Sequence, residues 1–158
     1  MRMQLLARTV LFGVVASISA GTVVGAQEPT TNVGVRGGYT FDTEEMLLSA
    51  NLVVPMTSRA EFYPSVDVYA PERGSRIGFN GDFKIYFPKL GRFVYGGFGA
   101  GVISTTVGDS SHTELGGNLL LGLEARIGWF HPYAEGRAIR RDQTHFQLFA
   151  GFNISRGP

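Results

Sequence analysis

The chain has 158 residues, a one-domain length, with 22 glycines, no cysteine and only 17% charged residues. That balance excludes a disulfide-stapled scaffold and a cysteine-acylated lipoprotein, and it speaks against disorder or a helix bundle. A formal charge of +1 gives no electrostatic reason to expect nucleic acid as a partner.

Arg2 and Arg8 precede an apolar run from Thr9 to Ala20, and Val24-Gly25-Ala26 then offers small residues to a signal peptidase. The run is shorter than the roughly 20 residues that a helix needs to cross a bilayer. Residues 1–26 are therefore expected to be a cleaved secretory signal, leaving residues 27–158 as one domain of formal charge −1.

After Gln27 no convincing 3.6-residue apolar period appears, whereas alternation of period two recurs. Eight such segments, separated by turn residues, predict strands over 31–41, 45–55, 60–70, 76–87, 92–105, 113–127, 130–140 and 144–155. Each matches the roughly 9–11 residues with which a tilted strand crosses a bilayer. The fourth is the clearest: Ile77, Phe79, Gly81, Phe83, Ile85 and Phe87 share one face, while Arg76, Gly78, Asn80, Asp82, Lys84 and Tyr86 share the other.

The links around 56–59, 88–91 and 128–129 are short, while those around 71–74, 107–112 and 141–143 are as long or longer and more polar. Asp42-Thr43-Glu44 joins the polar set. Short inner turns alternating with polar outer loops predict an all-β, eight-stranded antiparallel up-and-down barrel with its N-terminus on the inner side of a membrane.

A soluble barrel and a membrane barrel share the alternation and differ in which set faces outward. The polar faces carry Arg36, Lys84, Arg126 and Arg137 against Glu61, Asp67, Asp82, Glu124 and Glu135. Near-balance of this kind suits a narrow interior, where an unpaired ion is costly. A lumen plugged by Arg36, Lys84, Glu124, Arg126, Glu135 and Arg137 is therefore expected. Phe62, Phe87, Phe93, Trp129, Phe130 and Phe152 fall at the short-turn ends and Tyr39, Phe41, Tyr69 and Phe146 at the other, as two interfacial girdles require. Gly96, Gly97, Gly99 and Gly101 predict room for large lumen groups from neighbouring strands, and no helix follows them to make a nucleotide loop.

With F-V-Y-G-G-F-G-A-G from Phe93 to Gly101, G-L-E-A-R from Gly122 to Arg126 and P-Y-A-E-G-R from Pro132 to Arg137, the mature chain resembles the small outer-membrane β-barrel family of the outer membrane protein A and X type. The resemblance implies a cell outer-membrane location, a monomer and delivery by the barrel assembly machinery. The machinery reads an aromatic at the end of the last strand in that family. Here Phe146, Leu148, Ala150, Phe152 and Ile154 alternate as expected, but Ser155-Arg156-Gly157-Pro158 follow. The peptidoglycan-binding domain of larger members has no counterpart in this length.

Chemistry finds little purchase. His112, His131 and His145 are the histidines, and none combines with a serine and an acid as a hydrolytic triad requires. His112, Ser110, Ser111 and Glu114 fall in one predicted outer loop, which does not hold a site rigidly. Asp42, Glu44 and Glu45 are more simply a solvated loop than a calcium site. No catalytic residue, metal or cofactor is expected. Arg73, Arg76, Arg140 and Arg141 lie near the outer rim, where they are candidates to meet lipopolysaccharide phosphates alongside membrane lipid. The leading expectation is a non-enzymatic barrel with a structural or adhesive role. Two rivals stand beside it: a soluble lipocalin-like barrel with Phe79, Phe83 and Ile85 inside, and an enzyme acting on lipid A.

Overall fold

The computed structural model describes residues 31–90 and 93–155, and the expected signal segment lies outside them. Eight strands follow in order: β1 (Asn32–Thr40), β2 (Glu45–Pro55), β3 (Ala60–Tyr69), β4 (Ser75–Tyr86), β5 (Val94–Val107), β6 (Ser110–Glu124), β7 (Phe130–Arg140) and β8 (Thr144–Ile154). Each pairs antiparallel with the next, and β1 pairs with β8 to close a barrel. Pairing of β2 with β3 lapses opposite Pro64, which has no N–H to give.

Burial decides the orientation of the two faces. On β4, Phe79, Phe83 and Ile85 are 52%, 37% and 41% exposed, while Asp82 and Lys84 are 0% exposed. Leu115, Leu119, Leu121 and Leu123 on β6 are likewise exposed while Asn118 and Glu124 are buried. The apolar set faces outward and the charged set inward, the inverse of a soluble barrel. The lipocalin-like rival fails here, because the three side chains it needs inside are outside.

Two parts of the strand reading are corrected. Residues 106–112 do not form an outer loop: β5 and β6 pair without a break to Val107↔Ser110, turning on Gly108 and Asp109 with Gly108 at φ 61°. The serines and threonines there resemble loop composition, but their cross-strand partners hold them extended. Ser110, Ser111, His112 and Glu114 are therefore strand residues. At the other end β6 stops at Glu124 and not at 127, because Ile127 bridges to Phe130 around Gly128 in a tight turn.

The aromatic girdles are clearest at the short-turn end. Trp129, Phe130 and Phe152 pack in a row with ring centroids 5.9 and 5.3 Å apart, and Phe62 lies 5.2 Å from Phe83. At the opposite end Tyr39 and Phe41 meet edge to face, with Phe146 exposed nearby. Tyr69 does not belong to that outer ring. Its register partners Leu47 and Arg76 face the lumen, and Tyr69 is buried beside Leu47.

The β5 glycines divide by parity. Gly97 and Gly99 face inward, and a Cβ on Gly99 would collide with the Asp82 carboxylate and the Gly81 carbonyl, one on Gly97 with Leu120. They supply the room expected of them; Gly96 instead faces out against Phe87.

Arginine in place of Leu121, outward-facing near the middle of the β6–β7 pair, is expected to cost about 2–4 kcal/mol in urea unfolding from phospholipid vesicles. The same substitution at Met46, beside the outer rim, costs about 0–1 kcal/mol. Equal costs at the two positions would count against a lipid-facing exterior.

Candidate functional site

Inward parity brings charged side chains from four strands to the middle of the lumen. Arg36 of β1, Lys84 of β4 and Arg137 of β7 meet Asp67 of β3, Asp82 of β4 and Glu135 of β7, three positive groups against three negative, every one of them at the most 2% exposed. Arg36 Nη1 donates to Glu135 Oε1 at 2.7 Å, and Nη2 donates to Ser65 Oγ and to Asp67. Arg137 Nη2 donates to Asp82 Oδ2 at 2.8 Å and lies 3.4 Å from Glu135. Asn118 and Asn80 donate to the remaining oxygens of Asp82 and Asp67. Charged hydrogen bonds of this kind offset much of the cost of removing the ions from water.

Lys84 is held differently. Its ammonium lies 3.4 Å from Glu135 Oε2 and faces the rings of Tyr63, Tyr95 and Tyr133 at 3.4, 4.4 and 4.9 Å from their centroids. No hydrogen-bond acceptor meets Nζ, so ring quadrupoles and the carboxylate balance the charge. The tyrosine hydroxyls tie the cage to its surroundings: Tyr95 donates to Glu135 Oε2 at 2.9 Å, Tyr63 bonds Tyr133, and Tyr133 donates to Asn51.

The expected six-residue network is in fact two tiers. Arg36, Lys84, Glu135 and Arg137 form the central one with Asp67 and Asp82. Glu124 and Arg126 sit at the short-turn mouth, where half-exposed Arg126 bridges Glu61 at 3.0 Å and Glu124 at 3.2 Å. The register explains the split, since Glu135 pairs with Gly122 and Glu124 with Tyr133, two residues nearer the turn. Asp67 and Asp82 share the inward parity but were not assigned to the network from sequence. The tyrosine cage was missed entirely, because tyrosines on a polar face carry no signal until their rings are placed around one cation.

At the outer rim the four arginines separate. Arg73 and Arg140 are exposed, whereas Arg76 turns inward to Glu45 and Arg141 to Glu114. The histidines are apart from one another: His112 lies 3.4 Å from Glu114, His145 3.7 Å from Asp42, and His131 Nε2 is 3.0 Å from the Gly128 carbonyl. Among the described residues none is hydrogen-bonded to a serine hydroxyl. Asp42 also accepts the Phe146 N–H while Glu45 is engaged by Arg76, so these two acids of the first turn do not converge.

Similar architecture occurs among solved structures. The N-terminal β-barrel domain of Pseudomonas aeruginosa OprF superposes with a TM-score of 0.65 at 14% identity, covering 82% of this chain and 98% of that one. The chain has the fold of the small outer-membrane β-barrels. Neisserial surface protein A (NspA) superposes with a TM-score of 0.50, also at 14% identity, over 80% of this chain and 95% of that one. No family model matches the sequence, and no curated protein matches it. At this identity the likeness speaks for the barrel and leaves its contents to be read from its own residues.

Replacing Glu135 with glutamine leaves three buried cations without their shared anion and is expected to cost about 3–5 kcal/mol in urea unfolding. Arg126→Ala, which removes a half-exposed bridge, is expected to cost less than about 1 kcal/mol. A Glu135→Gln barrel of unchanged stability would mean that the plug contributes nothing to the fold.

Proposed function

We propose that this protein resides in the cell outer membrane as a closed, non-enzymatic monomeric barrel whose work is done at its outer end. The observation that carries this reading is the lumen itself. Eight strands enclose little more than side-chain space, and here that space is taken by balanced, mutually bonded ions from β1, β3, β4 and β7. The outward apolar band supports a bilayer location, because only lipid leaves it without cost. An enzyme acting on lipid A has less support, since each histidine is engaged separately.

The outer end offers one specific feature in favour of an adhesive role. β6 pairs with β7 only from Gly117 onward, whereas with β5 it pairs up to Ser110. Residues 110–116 thus stand beyond β7 with one edge free. In a two-residue hairpin the closing pair, Val107 and Ser110, is hydrogen-bonded, so bonding to β5 falls on even-numbered β6 residues. Glu124 N–H donating to the Phe93 carbonyl fits that parity. The N–H and C=O of Ser111, Thr113 and Leu115 therefore point to the free edge, with no lysine or proline in this stretch to blunt it. Such an edge fits an extended strand of a partner polypeptide, added by main-chain hydrogen bonds. Arg73 and Arg140, exposed at the rim and in no ion pair among the described residues, are the arginines placed to meet lipopolysaccharide phosphates, with Arg140 Nη1 donating to Thr144 Oγ1.

The barrel in planar lipid bilayers is expected to show no steady conductance and, unboiled, to migrate apart from the boiled chain in SDS electrophoresis; a steadily open channel would overturn the closed reading. In hydrogen exchange, the amides of Thr113 and Leu115 are expected to exchange faster than those of His112 and Glu114, and equal protection would mean that the edge is covered. Glutamine at both Arg73 and Arg140 should reduce lipopolysaccharide retained through purification, and unchanged retention removes these two from the contact.

A further inference from the structure

Above the charged plug the lumen opens outward into a cup of about 170 Å³, lined by residues from nearly every strand, among them Thr40, Tyr69, Arg76, Glu114, Arg141 and Gln147. Its base is closed. Leu47, Tyr69, Ile103 and Phe149 form a buried apolar layer, and the Arg36 guanidinium packs 4.0 Å from the Phe149 ring on the plug side. A solute entering from outside is held and cannot pass.

The wall carries two ion pairs, Arg76 with Glu45 and Arg141 with Glu114 at 3.6 Å. His145, also on the wall, lies 3.7 Å from Asp42, so each basic group around the cup stands against a carboxylate and neither a free anion nor a free cation finds an unopposed partner there. Each pair joins through one nitrogen and one oxygen; Arg76 Nε is taken by Thr105 Oγ1 and Glu114 Oε1 lies 3.4 Å from His112, which leaves Arg76 Nη2, Glu45 Oε1 and the Nε and Nη2 of Arg141 open among the described residues. At the base, the Gln147 carboxamide, 3% exposed, donates through Nε2 to Thr40 Oγ1 at 3.1 Å and to the Tyr69 hydroxyl at 3.0 Å. Its Oε1 has no partner among the described residues. A buried carboxamide oxygen left in this state is unfavourable, and a ligand hydroxyl donating to it removes that cost.

We propose that this cup binds one neutral sugar ring, either a free monosaccharide or the exposed terminal unit of a glycan. Adjacent hydroxyls both donate and accept, which matches planar guanidinium, carboxylate and carboxamide groups set side by side with equal charge of each sign. Tyr69 and Ile103 supply the apolar surface for the C–H face of the ring. The space equals about five to six waters at ~30 Å³ each, which suits one ring and not two. The cup uses the inward side chain of Glu114 and not the main-chain groups of the β6 edge, so Thr113→Pro is expected to weaken strand addition without reducing sugar transfer.

The test is saturation-transfer NMR on the full barrel in amine-oxide micelles, free of sugar detergents, with glucose, galactose, mannose and N-acetylglucosamine offered singly. At least one is expected to receive saturable transfer, weakened tenfold or more by Gln147→Leu and by Glu114→Gln, the latter at the half-exposed wall where folding is safe. Both variants are checked by the electrophoretic shift on boiling. Competition by an oligosaccharide ending in the bound sugar assigns the source to a glycan, and its failure assigns it to the free sugar. Transfer to none of the four, or transfer undiminished in a folded Glu114→Gln barrel, overturns the proposal.

Discussion

Glu135 is the carboxylate around which the barrel interior is organised. Arg36, Lys84 and Arg137 reach it at 2.7, 3.4 and 3.4 Å, and Tyr95 donates to its second oxygen. The three cations stand on β1, β4 and β7, far apart around the wall, so one anion draws together strands that share no backbone hydrogen bonds. Every other inward group follows from that constraint. Asp67 and Asp82 complete the neutrality, and Asn80, Asn118, Ser49 and Ser65 bond to these charged groups. Removing a partner from such a set is costly because the rest stay buried, whereas a wholly apolar replacement could be as stable.

Steric complementarity makes the arrangement fit. Gly97 and Gly99 leave the space that Leu120 and Asp82 occupy, while the three tyrosines close around Lys84, whose ammonium lies near Glu135 without completing a hydrogen bond. Small residues on β5 therefore answer large ones on β4 and β6. Glycine in mid-strand weakens a strand by itself, and here that weakness is offset by full pairing on both sides.

The two ends of the barrel do different things with the same alternation. At the short-turn mouth Arg126 clips Glu61 to Glu124 beside a row of packed aromatics, and the turns are tight. At the outer end β5 and β6 overrun β7, the ion pairs lie open to solvent, and the lumen widens into a cup. Polar groups at that end are open to solutes from outside, whereas the central ones are closed off beneath the layer of Leu47, Tyr69, Ile103 and Phe149.

Much of this was legible in the chain itself. Period-two alternation in eight segments is a local property, and it determined the number of strands, their approximate limits, the closed antiparallel order and the two chemically distinct faces. Charge balance on the polar face determined that a paired interior was feasible. Tertiary structure alone decided depth: residues of one parity look equivalent in sequence, but register sorted Glu135 and Arg137 into the centre and Glu124 and Arg126 to the mouth. It also decided which arginines face solvent, turned Tyr69 from the rim into the lumen, and drew Ser110–Glu114 out of a loop into a strand. The physical reason is common to all of these. Alternation specifies only the side of the sheet on which a residue lies, while its partners depend on how each strand is staggered against strands distant in the chain.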